Sequence, residues 1–167
     1  MGTHGGGICK FDGVNFEKYS EKDGLSGNIV SDLSEDKTGN IWISSSWGGV
    51  SKYNGRTFLN YTEKDGLLNN KNNTVVFTDS KNNIWIGSEA GIVINRAGIF
   101  STLTSKKEEL IGNKINEIIE DSKGNIWIGT SSGITIIHKN KTTHISKKNG
   151  LNSNNIKAIL EDTEGNY

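Results

Sequence analysis

The chain has 167 residues, with 19 Lys+Arg balancing 19 Asp+Glu, 21 glycines, no proline and one cysteine. Zero net charge supplies no field to gather nucleic acid or an anionic membrane; no stretch approaches the length of a membrane-spanning helix, and residues 1–10 lack a signal peptide's apolar core. Cys9 alone closes no internal disulfide, and 32% hydrophobic content with many glycines points to short strands joined by tight turns.

One phrase recurs along the chain: GNIWIS around Trp42, NNIWIG around Trp85 and GNIWIG around Trp127. An Asp stands six residues before each Trp, at Asp36, Asp79 and Asp121. A period in the low forties marks a repeat architecture, and four antiparallel strands per unit of that length describe a propeller blade. In chain order, Gly2-Thr3-His4-Gly5-Gly6-Gly7-Ile8 aligns with Ser44 to Val50, and Met1 falls where Ile43, Ile86 and Ile128 sit. Residues 1–27 therefore read as a partial blade, with Asp12-Gly13 as its hairpin turn.

The unit over about 28–69 is the type case. Ile29 to Ser34 is apolar enough for a buried innermost strand, and Asp36 to Asn40 closes it as a turn, because Asp accepts backbone N–H groups two residues on. Ile41-Trp42-Ile43 starts a second strand, β-branched and aromatic. Ser44 to Gly49 reads as a small-residue loop, Val50 to Tyr53 as a half-buried third strand, Asn54-Gly55 as a hairpin, and Thr57 to Tyr61 as the fourth strand. Blades at about 70–112 and 113–154 follow the same plan, and 155–167 begins another. Lys71-Asn72-Asn73 adds a residue to the second unit and puts Asn where Val30 and Ile115 sit, which predicts a bulge or longer loop there. Ile115/Ile118/Ile119 and Ile156/Ile159/Leu160 carry helical spacing. Each run is too short for a stable amphipathic helix and ends at an Asp turn, so both are expected as innermost strands.

The pattern Asp23-Gly24-Leu25, Glu35-Asp36, Gly39-Asn40-Ile41-Trp42, Gly129-Thr130 and Gly133-Ile134, repeated over essentially the whole chain, resembles the two-component regulator propeller repeat. The resemblance implies an all-β propeller of four-stranded antiparallel blades. About four repeats are present here, as a fragment of a typically seven-bladed ring; the competing expectation is a closed four-blade ring. It further implies an extracytoplasmic sensor region of a histidine kinase or hybrid two-component system, recognising oligosaccharides or other small polar ligands and signalling as a homodimer. From the balanced charge and the motifs of the chain itself, no nucleic-acid partner, no direct membrane contact in this segment and no cofactor are expected.

Identical placement of Trp42, Trp85 and Trp127 between two isoleucines favours blade-to-blade packing over sugar stacking. Trp47 differs, standing in the loop after the second strand where other repeats carry Ala90 and Ser132. Together with His4, Ser46, Glu89 and Ser131 at matching loop positions, it gives a polar ring with one aromatic face, suited to a hydroxyl-rich ligand; the alternative is that Trp47 covers the neighbouring blade. Asp23, Asp65 and Asn149 in the crossings read as turn formers. The recurrent Asp turns hold too few carboxylates for calcium and read as structural. His4, His138 and His144 are scattered, no zinc pattern or nucleophile elbow stands out, and Glu89 lacks the second carboxylate a glycosidase needs, so no metal site or catalytic residue is expected. The rival readings are a lyase- or lactonase-like propeller enzyme and a protein-interaction scaffold.

Overall fold

Alternating apolar residues and glycine-bearing turns at these spacings make each unit an antiparallel meander. The computed structural model describes residues 1–69, 71–139 and 141–167. β1 (Ile8–Phe11) and β2 (Phe16–Tyr19) form a two-stranded sheet. Three four-stranded sheets follow, each ordered as in sequence. The first full blade holds β3 (Val30–Glu35), β4 (Ile41–Ser45), β5 (Gly49–Tyr53) and β6 (Phe58–Tyr61). The second holds β7 (Asn73–Thr78), β8 (Ile84–Ser88), β9 (Gly91–Arg96) and β10 (Ile99–Leu103). The third holds β11 (Ile115–Glu120), β12 (Ile126–Thr130), β13 (Gly133–His138) and β14 (Lys141–Ile145). The molecule is all-β, a β-propeller segment of four-stranded antiparallel blades.

The core lies between blades. Trp42 and Val50 of the first full blade pack with Val76, Ile84, Ile86 and Val93 of the second. Val75, Trp85, Ile92 and Ile94 of the second pack with Ile115, Ile118, Ile126 and Ile128 of the third. Trp42 and Trp85 are buried, at 3% and 4% exposure, and cannot stack a ligand. Tyr167 stands where Ile84 and Ile126 stand, and its ring stacks on Trp127 at 3.9 Å.

Each Asp turn is also tied to its Trp. Asp36 Oδ1 accepts the N–H groups of Thr38 and Asn40 at 2.9 and 3.0 Å, while Oδ2 accepts the Trp42 indole N–H at 3.0 Å. Asp79 and Trp85 (2.9 Å), and Asp121 and Trp127 (2.8 Å), repeat the bond. The same end of the blades carries seam clamps: Ser80 donates its backbone N–H and hydroxyl to Glu120, and Ser122 does so to Glu161.

Four expectations change in detail. The Ser44–Gly49 loop shrinks to residues 46–48, since Ser45 pairs with Gly49 in the ladder. The Asn54-Gly55 turn moves by one residue: Asn54 pairs with Thr57, Gly55-Arg56 form the tip, and Asn54 Oδ1 accepts the N–H groups of Arg56 and Thr57. The bulge predicted for the second repeat is common to all three full blades, between Val30 and Asp32, Asn73 and Val75, and Ile115 and Glu117. As turn formers, Asp23, Asp65 and Asn149 cap 3-10 turns in the crossings by accepting the N–H groups of Ser20, Thr62 and Ser146. Ile156–Leu160 forms no strand. Ile156 donates its N–H to the Thr130 carbonyl at 2.9 Å, but among the described residues no second strand is laid beside the segment, and a ladder needs one. At the other end, Gly2 bridges Ile8 just as Ser44 pairs with Val50, in the register the alignment gave.

Candidate functional site

The loops joining second to third strands, and the crossings between blades, gather at one end of the sheets; the Asp turns and outer hairpins occupy the other. The loop end is held by a backbone relay between neighbouring blades. Val30 N–H bonds the Thr3 carbonyl at 3.0 Å, and Asn72 N–H the Ser46 carbonyl at 2.7 Å. Within blades, Ser46 N–H reaches the Ile29 carbonyl at 2.9 Å and Ser131 N–H the Lys114 carbonyl at 3.1 Å. These bonds hold each loop tip against the start of an innermost strand, so side chains there project from a rigid base.

Of the five residues expected in the ring, three lie in one connected group. Ser46 and Trp47 come from the loop after β4, and their backbone meets Lys71 and Asn72 at the start of the second full blade. Trp47 is 58% exposed, and the Lys71 ammonium lies 5.1 Å from its ring centroid. Glu89 follows β8; Asn72 Nδ2 donates to its Oε2 at 3.2 Å, and Lys114 Nζ to its Oε1 at 2.6 Å. The sequence Trp47, Lys71, Asn72, Glu89, Lys114 thus runs across three blades as a continuous polar and aromatic strip. His4 is bridged to Ile29, and Ser131 meets the strip through its backbone N–H on the Lys114 carbonyl; among the described residues no side-chain hydrogen bond joins either of them to it.

Sequence reasoning missed Lys71, Asn72 and Lys114. A signal was present for two of them: the residue added to the second repeat puts Asn72 at φ 54° and turns its amide towards Glu89. Lys114 had none, since it stands at an ordinary strand start. The hydrogen bond and charge of Lys114 hold the Glu89 carboxyl below its ordinary range. Glu89 is thereby committed as an anion to a lysine and an amide, a setting for orienting hydroxyl groups rather than for donating a proton. Among the described residues no three His, Cys, Asp or Glu side chains converge as a metal set.

Other polar groups are spoken for by the fold. His138 Nδ1 bonds the Asn125 side chain at the Asp-turn end, and His144 Nδ1 lies 3.2 Å from the Thr135 hydroxyl. Asp32 accepts the Val76 N–H of the next innermost strand at 3.0 Å; burial pushes its carboxyl up, against the pull of the Val76 and Leu33 N–H groups. Burial also raises Glu117, with the Asp32 charge adding to it. A cleft of about 740 Å³, lined by Ile8, Tyr19, Leu33, Ile41 and Tyr53 among others, opens near Glu35, Gly39 and Gly55 at the Asp-turn end, away from the strip.

Comparison with known proteins agrees with this architecture. The two component regulator propeller family matches residues 24–47 and 109–132, the segments holding the Asp36–Trp42 and Asp121–Trp127 units. No curated protein sequence matches the chain. Among solved structures, the extracellular domain of a hybrid two component system from B. thetaiotaomicron superposes with a TM-score of 0.78 at 24% identity, over 89% of this chain and 21% of that one. The extracellular domain of a second such system from the same organism gives 0.71 at 23%, over 93% and 24%. PorZ, a surface component of the type-IX secretion system of Porphyromonas gingivalis, gives 0.69 at 17%, over 96% and 27%. The chain thus spans under a third of the length of each of these three. With the Asp–Trp units and the glycines that open each third strand in register, the chain is a β-propeller segment, and its residues 24–47 and 109–132 are similar to the two component regulator propeller repeat.

Proposed function

We propose that this segment belongs to the extracytoplasmic, non-catalytic ligand-sensing propeller of a two-component receptor, and that its loop end reads oligosaccharides. The observation that carries the reading is Trp47, an indole left 58% exposed on a rigid loop beside Lys71, Asn72 and Glu89. Burying such a ring against protein would have been cheap in a propeller; a sugar's C–H face with its surrounding hydroxyls suits the mixture of aromatic and polar groups. The likeness to extracellular domains of two-component systems supports the setting. Ligand on three blades at once would bias the geometry of a dimeric parent between two states, which is signalling by population shift rather than by chemistry.

Titration calorimetry of an oligosaccharide panel against the intact protein tests this. Trp47→Ala is expected to weaken binding about tenfold or more, an interaction of about 1.4 kcal/mol, with an unchanged melting temperature. Absence of binding across the panel, or full affinity in the variant, would overturn it.

A further inference from the structure

Lys71 and Lys114 are the two lysines of the strip, and they are placed differently. Lys114 is committed to Glu89 at 2.6 Å, and the other Glu89 oxygen to Asn72 at 3.2 Å. Lys71 makes no ion pair among the described residues; its ammonium instead stands over the Trp47 ring at 5.1 Å. Its backbone is well anchored. Lys71 N–H bonds the Asn69 side chain at 2.7 Å, its backbone bridges Trp47, and Asn72 N–H bonds Ser46. The cation is therefore held beside the indole from the neighbouring blade, while its long side chain stays exposed.

We propose that the strip selects saccharides carrying a ring carboxylate, with Lys71 as the group that recognises it. This rests on the saccharide reading above. A neutral sugar that stacks on the face of Trp47 covered by Lys71 must displace the ammonium, giving up a cation–π contact of about 0.5–1 kcal/mol with nothing to replace it. A uronate ring replaces it directly. As its C–H face takes the indole, its carboxylate accepts a charge-assisted hydrogen bond from the displaced ammonium, among the stronger bonds open to an exposed site. The Glu89 charge nearby is offset by its ion pair with Lys114 at 2.6 Å.

The test pairs uronate-containing oligosaccharides with their carboxyl-reduced counterparts, alongside neutral oligosaccharides, in calorimetric titrations of the intact protein. Binding is expected among the uronates, at least tenfold weaker after carboxyl reduction and weaker at 300 mM than at 50 mM salt (roughly two Debye-length regimes). Lys71→Gln is expected to erase the discrimination and Lys71→Arg to retain it, both with the wild-type melting temperature. Equal affinity for reduced and unreduced forms, or discrimination that survives Lys71→Gln, overturns the proposal while leaving the saccharide reading intact. Failure of every saccharide to bind removes both.

Discussion

Gly49→Ala is expected to destabilise the protein by about 3 kcal/mol or more, enough to cost a large share of a typical domain's stability. Gly49 opens β5 at φ 92°, and a Cβ there would lie 2.2 Å from the Tyr61 carbonyl oxygen at the end of β6. Backbone, not a flexible side-chain tip, would have to move. The same encounter recurs at Gly7 with Tyr19, Gly91 with Leu103 and Gly133 with Ile145, which is the physical content of the glycine that ends the repeat motif. Gly55→Ala supplies the control: its φ is 88°, yet nothing lies within 4 Å of its Cβ position. That variant pays the positive-φ cost alone, about 1–2 kcal/mol. Denaturant unfolding of both separates the terms. Equal losses would show that the carbonyl approach contributes nothing.

Asp79→Ala is expected to cost about 3 kcal/mol by the same measurement. Its carboxylate is 6% exposed and accepts four bonds: Lys81 and Asn83 N–H on Oδ1, Asn83 Nδ2 and the Trp85 indole on Oδ2. Alanine leaves the buried indole N–H without its acceptor. Asp79→Asn keeps the shape but turns one acceptor into a donor facing donors, and is expected to recover less than half of the loss. The pH dependence follows. Burial pushes Asp36, Asp79 and Asp121 up, but their combined hydrogen bonds outweigh it and hold all three below the ordinary carboxylate value. Each therefore contributes stability that is complete above an unfolded carboxyl's pKa of about 3.9 and is lost as pH falls further through the folded value. Asp32 and Glu117 act in the opposite sense. Their folded values are raised, so what they contribute is present at low pH and declines as pH rises from about 4 through those values. Thermal melts are expected to fall steeply below pH 4, and less steeply in Asp79→Asn. A variant with the wild-type slope would refute the assignment.

Much of the fold was legible because a repeat states its rules several times. The Asp turn, the tryptophan strand and the glycine before the third strand each recur, so chance resemblance at one site is corrected at the next. Ile115 to Glu120 was readable as a strand against its helical spacing, since an innermost strand is packed from both sides and can carry that pattern. The same argument failed at Ile156–Leu160, because a strand also needs a hydrogen-bonded neighbour, which no residue pattern within the segment supplies. The second-repeat insertion was visible, but its consequence was not. The bulge proved general, and the added residue's particular effect was to aim Asn72 at Glu89.

The sequence by itself determined the period, the blade plan, the structural role of Asp36, Asp79 and Asp121, and the oddity of Trp47, all of which depend on neighbours within one repeat. Only the tertiary structure decided that those aspartates accept the indole N–H of their own tryptophans, that Lys71 stands over Trp47, and that Glu89 is tied to Lys114. The last two contacts cross from one blade to the next. Their geometry is set by how far each sheet is turned against its neighbour, a quantity that no local propensity encodes.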